Sequence, residues 1–178
     1  RKEADRQLKL GAGGLRDVEF TVQLLQLVHG RLGPQIRHRN TLNALAALAQ
    51  EGYVGRADAA RLAVCYRFLR LMEHRIQLYR MRRSHLVPTD ERDLYRLARS
   101  MRIVPDKGSD VVTELLVRWR HTRRDVRRLH EELFYRPILP ATAQLSTEDA
   151  ALAPEAARAR LAALGYRAPE VALNHITA

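Results

Sequence analysis

Residues 109–137 read SDVVTELLVRWRHTRRDVRRLHEELFYRP, and this stretch decides the fold. Val112, Leu115, Trp119, Val126, Leu129 and Leu133 recur at intervals of three, four and seven. That spacing puts them on one side of a helix, whereas on a strand they would scatter over both faces. Ser109 is positioned to cap the first turn. Pro137 and Pro140 end the run, because proline cannot continue a hydrogen-bonded helix. The other side carries Arg118, Arg120, Arg123, Arg124, Arg127 and Arg128, with His121 and His130 among them. A helix so divided gains most of its stability by burying the apolar stripe against other helices.

The same period runs through the sequence on either side. From Ala57 to about Met81, Leu62, Tyr66, Leu69, Glu73 and Ile76 form an inner face. Pro88-Thr89-Asp90 opens a short helix with Leu94, Leu97 and Met101 inward. Asn40 caps a helix bearing Leu42, Leu45, Leu48 and Ala49, stopped by Gly52. Leu15, Val18, Val22, Leu25 and Val28 place a helix over Leu15 to His29, closed by Gly30 and Gly33-Pro34. Before it, Gly11-Ala12-Gly13-Gly14 is a break. The lead-in from Arg1 to Leu10 is polar, and Leu8-Lys9-Leu10 has the look of a strand end. Without sheet partners for its backbone groups, that lead-in is expected to be disordered or displaced. Residues 138–153 are low in charge and rich in Ala, Ser and Thr, and read as a linker. Pro154-Glu155 reopens a helix to Leu164 with Gly165 as its cap, and Pro169 to Ile176 makes a second short segment. The expected fold class is all-α: a bundle of about five helices over residues 15–137, with a short C-terminal helical appendage at 154–178.

Composition narrows the function. Hydrophobic residues at 46% and charged residues at 29% suit a folded globular chain. No apolar run is long enough for a membrane span, and no signal peptide is visible. The first residue is not Met, so a piece of a longer protein is expected. A lone Cys65 rules out an internal disulfide, suits the cytoplasm, and reads as a buried, unreactive thiol. The net charge of +11 would attract nucleic acid, nucleotides or an acidic protein. Nearly all of it is arginine, with lysine only at Lys2, Lys9 and Lys107, and alanine is abundant. Codon usage in a GC-rich genome produces that bias without any binding site. Nucleic acid is not favoured, because neither a groove-entering motif nor stacking aromatics accompany the basic face. A single cysteine leaves no zinc spacing.

Three constellations are candidates for chemistry. Lys9-Leu10-Gly11-Ala12-Gly13-Gly14-Leu15-Arg16 is a glycine-rich turn entering a helix, where free N–H groups and the helix dipole suit a phosphate and Lys9 and Arg16 add charge. On the pattern alone a plain structural turn is the preferred reading, since neither the Walker nor the Rossmann spacing is present. Asp17 and Glu19 would share a face on a strand but diverge on a helix, so a complete metal pair is not expected there. In the first helical turn their negative charge is favoured in any case. Arg70, Glu73, His74 and Gln77 form a polar cluster on a long helix, read either as a ligand-facing groove or, preferably, as a buried ion pair.

Lys9 through Gln23, KLGAGGLRDVEFTVQ, closely resembles the stretch following the first nucleotidyltransferase domain of glutamine synthetase adenylyltransferases. Tyr66-Arg67-Phe68-Leu69-Arg70 with Glu73 and Gln77 is similar to a later helix of that family, and Leu86-Val87-Pro88 to its short loop. The likeness covers roughly residues 8–135. Uridylyltransferases of the PII signal protein share the Gly-Gly-Leu-Arg-Asp core, and the Val-Glu-Phe continuation favours the adenylyltransferases. The resemblance implies a bifunctional parent enzyme with two polymerase-β-like domains, one attaching AMP to glutamine synthetase and the other removing it by phosphorolysis. On that footing residues 1–14 are the end of the first such domain, and the tail leads toward the second half. Partners implied are glutamine synthetase, PII and the flanking catalytic domains. Magnesium and ATP, ADP or phosphate are implied for the parent, with none expected on this piece. Gly11, Gly13, Gly14, Lys9 and Arg16 would lie near the nucleotide, with Glu19 or Asp17 as an accessory acid. No Asp-x-Asp pair of the kind such transferases need occurs in the sequence, so the piece alone is expected to be inactive. The competing classes are an interaction module docking glutamine synthetase or PII and, less favoured, a nucleic-acid-binding domain.

Overall fold

In the computed structural model the described residues are 3–31, 33–81 and 84–135. The chain divides into two compact units, Arg1–Arg136 and Pro137–Ala178. The second, with the expected linker at 138–153 and helices at 154–178, lies outside the described residues. Five α-helices make up the described part: α1 (Leu15–His29), α2 (Thr41–Gln50), α3 (Arg56–Arg80), α4 (Glu91–Ser100) and α5 (Val111–Tyr135). With no strand among the described residues, the fold is all-α as expected.

Local chemistry sets the ends of these helices. The Asn40 side chain accepts the Leu42 and Asn43 amides and starts α2. Asp90 does the same for α4 through the Asp93 amide at 3.1 Å. At α5 the cap is Asp110, not Ser109. Its carboxylate accepts the Val112 and Thr113 amides at 2.8 and 3.0 Å, because it directly precedes the first helical residue. Hydrogen bonds from the Thr113 hydroxyl and amide hold the Asp110 carboxyl below its ordinary pKa. Ser109, one residue too early, reaches only the Asp110 carbonyl.

α5 packs on α1, α3 and α4, and α2 closes the side between α1 and α3. Leu115, Val126 and Leu129 of α5 are fully enclosed, as are Leu62, Leu69 and Met72 of α3 and Leu15 and Val18 of α1. Each such aliphatic side chain contributes about 1.5–3 kcal/mol by leaving water. Val28 was expected on this face but is half exposed, because the stripe of α1 ends at Leu25, a turn before the helix does. Cys65 is buried as expected, and burial, with the Asp125 charge second, pushes its thiol up to about 11. No helix among the described residues is long and apolar enough to cross a membrane.

The lead-in departs from expectation. Its described residues, 3–10, lie against the bundle. Gln7 bridges Leu86 in antiparallel fashion, the Leu8 amide donates to the His85 carbonyl at 2.8 Å, and the Val87 amide donates to the Arg6 carbonyl at 3.0 Å. Leu8 and Val87 are both buried. The missing strand partner is thus a loop of this same chain, some eighty residues away, which satisfies the backbone groups that would otherwise reject burial.

Candidate functional site

The glycine-rich turn sits against the middle of α5. Gly13 adopts φ +74°, and a Cβ there would lie 2.7 Å from the Arg123 carbonyl carbon and closer still to its oxygen. At Gly14 a Cβ would meet the Leu8 carbonyl oxygen at 2.6 Å. Only residues without a side chain let the two backbones approach this closely. Arg123 completes the clamp, its Nε donating to the Ala12 carbonyl at 3.0 Å and its Nη1 to the Asp5 carbonyl at 2.6 Å. Its guanidinium also lies over the Trp119 ring. Trp119 Nε1 is itself buried without a hydrogen-bond partner among the described residues.

The amides of the turn are already engaged by the chain. Gly13 N–H donates to Asp17 Oδ2 at 2.6 Å, and Gly14 N–H to the Gly11 carbonyl. Leu15 and Arg16 N–H groups donate to the Leu8 and Lys9 carbonyls at 2.9 and 3.1 Å. These are the groups a phosphate would have used. Side-chain charge remains at the turn: Lys9 is half buried, and Arg16 is exposed with its guanidinium over the Phe20 ring.

Asp17 and Glu19 both lie in α1 and turn to different partners. Besides the Asp17 carboxylate bond to Gly13, the Thr21 hydroxyl lies 2.7 Å from both the Asp17 carbonyl and His130 Nδ1. Glu19 Oε1 accepts the Tyr66 hydroxyl at 3.2 Å. Burial, with the Glu19 charge among the further causes, raises the Tyr66 pKa. Among the described residues no group of three or more His, Cys, Asp or Glu side chains could hold a metal ion. The residues present therefore do not by themselves fit magnesium.

Arg70, Glu73 and His85 form the second half of the site. Glu73 is 2% exposed; Oε2 accepts from Arg70 Nη1 and Oε1 from His85 Nδ1, each at 2.7 Å. This is the buried-pair arrangement, and a carboxylate so enclosed needs both oxygens engaged. Gln77 lies half buried a turn further on, and His74 is exposed. Sequence reasoning missed His85. A signal was available: Arg70, on the same helix, donates to one oxygen of a buried glutamate, so a second donor had to come from another element. His85 also supplies the carbonyl that Leu8 pairs with. One chain of contacts thus runs from Glu73 through His85 to Leu8 and the glycine turn, and a second joins Glu19 to Tyr66 one turn from Arg70.

Comparison with known proteins gives this arrangement a family. The family model described as GlnD PII-uridylyltransferase matches residues 1–134. The chain belongs to that family. Among curated proteins, it is 62% identical over 176 residues to the bifunctional glutamine synthetase adenylyltransferase/adenylyl-removing enzyme of Streptomyces coelicolor, covering 99% of this chain and 17% of that protein. The like-named protein of Streptomyces avermitilis is 58% identical, again over 99% of this chain and 17% of its own length. That of Leifsonia xyli subsp. xyli is 53% identical over 97% of this chain and 17% of the relative. The resemblance carried by residues 9–23 is borne out. The chain spans about a sixth of the length of these relatives.

Proposed function

We propose that this chain is a non-catalytic helical domain of an enzyme that adenylylates and deadenylylates glutamine synthetase. In this reading it flanks the phosphorolytic active site and links the two catalytic halves. The observation that carries it is the clamped glycine turn. The segment that carries the sequence resemblance is fixed to α5 by two arginine hydrogen bonds and a backbone approach that only glycine permits. A turn held this way sets the position of whatever precedes it in the parent chain. The bundle then acts as a rigid base for the cleft, and the flanking nucleotidyltransferase domains supply the catalytic carboxylates, magnesium, ATP, ADP and phosphate. Glutamine synthetase and PII are the parent's proposed partners, in the cytoplasm.

Near the cleft, Lys9 and Arg16 supply charge to a phosphate through their side chains. Glu19 or Asp17 serves as the accessory acid, since each has one carboxylate oxygen held within the chain, Glu19 Oε1 by the Tyr66 hydroxyl and Asp17 Oδ2 by the Gly13 N–H, and offers the other. The test is made in the full-length enzyme with Gly13→Ala, Asp17→Asn and Glu19→Gln, assaying adenylylation and deadenylylation separately. Deadenylylation is expected to fall at least tenfold, roughly the loss of one positioned group, with adenylylation largely kept. Wild-type deadenylylation in all three removes the proposal.

A further inference from the structure

We infer that Arg120, Arg123 and Arg124 of α5 form a docking surface for an acidic segment of a separate protein, an inference independent of the reading above. The arginines of α5 fall into two classes. Arg118 pairs with Glu114, Arg127 with Glu131 and Arg128 with Glu132, each one helical turn away. Across the helix, Asp125 is taken by Arg61 and His121. Arg120 and Arg123 instead donate to backbone carbonyls, those of Leu116, Ala12 and Asp5, which leaves their charge uncompensated. Arg124 has no carboxylate partner among the described residues. Three uncompensated guanidiniums within five residues concentrate positive charge on one stretch of the helix.

The unpaired arginines, with Arg127, line an open groove of about 530 Å³ floored by Val117 and Ala12. From residue 120 to residue 127 the charges extend along roughly 10 Å of helix at 1.5 Å per residue. They form a row and do not converge on a point, so an elongated anion fits better than a single phosphate. Among the described residues no base-stacking aromatic lines the groove, and Ala12 of the glycine turn borders it, which favours a narrow peptide over a nucleic-acid duplex. A row of carboxylates on an extended or helical segment matches the spacing and the fork geometry of the guanidiniums. The chain's net charge of +11 would steer such a partner in by diffusion, an advantage that matters for a separate molecule and not for a tethered one.

The probe is a fluorescein-labelled deca-glutamate peptide, titrated with the 178-residue chain and followed by anisotropy. Arg120→Ser with Arg124→Ser is expected to weaken binding about tenfold or more, while Arg118→Ser with Arg128→Ser, the same change in net charge, weakens it less than about threefold. Far-UV circular dichroism confirms that both double variants stay helical. Equal losses in the two would mean that net charge alone acts, and would overturn the inference. So would absence of peptide binding, or tighter binding of tripolyphosphate or duplex DNA through the same arginines.

Discussion

Replacing Gly13 by alanine separates two costs that usually travel together. Gly13 has φ +74°, which for a residue with a side chain costs about 1–2 kcal/mol. Gly52, at φ +79°, would incur the same cost, but a Cβ there meets nothing within 4 Å. At Gly13 the new methyl falls on the backbone of Arg123, so the turn must lift from α5. Lifting it weakens the Arg123 bond to Ala12 and the Gly13 bond to Asp17, both charge-assisted and each contributing about 1.5 kcal/mol or more. Gly13→Ala should therefore cost about 3–5 kcal/mol and Gly52→Ala about 1 kcal/mol. Urea unfolding followed at 222 nm reads the difference. At a slope of about 2 kcal/mol per molar, the excess lowers the Gly13→Ala midpoint by a further ~1–2 M relative to Gly52→Ala. Equal midpoints for the two variants would refute the claim that the turn is clamped to α5.

Other consequences are open to measurement. Glu73→Ala strands His85 and Arg70 and should cost about 2–3 kcal/mol, discounted because Arg70 is partly exposed; a urea shift below about 0.5 kcal/mol would contradict the buried-pair assignment. Asp17→Ala should destabilise by about 1–2 kcal/mol and Asp17→Asn by less, since asparagine's oxygen can still accept the Gly13 N–H; identical losses would show that this bond is not what Asp17 contributes. Cys65 should react with Ellman's reagent at pH 8 at least tenfold more slowly in the native chain than in guanidinium chloride, as burial and thiolate depletion both require. Because folding raises the Cys65 pKa from 9.0 to about 11, its contribution to stability is complete below pH 9 and is lost as pH rises toward 11. A Cys65→Ala variant should lose less stability over that range than the parent chain, and an unchanged alkaline slope would dismiss the effect.

The helices were legible because their signals are local. The α1 stripe and its closing glycine, the Asn40 cap, and the three-and-four repeat of α5 each lie within one turn or two of the boundary they set. Ser109 and Asp110 show the limit of that reading: both can cap, and only the true first helical residue decides between them. What the sequence hid was long-range. That Leu8 would pair with His85, and that His85 would complete Glu73, depends on two segments meeting across the bundle, which no spacing encodes. The glycine turn hid a local fact. Its composition suited a phosphate, yet its amides are taken up by Asp17 and by the carbonyls of Leu8, Lys9 and Gly11. These partners all lie between residues 8 and 17, and only the folded path of the turn, not its spacing, pairs them.

Residues 6–16 belong to the helical bundle and are fixed to it by the chain's own bonds. Amide hydrogen exchange on the 178-residue chain, resolved by residue, tests this directly. The Leu8, Gly13, Leu15 and Arg16 amides should exchange with protection comparable to that of Leu62 and Leu129, whereas exchange of these four at the rate of an unfolded peptide would contradict the account.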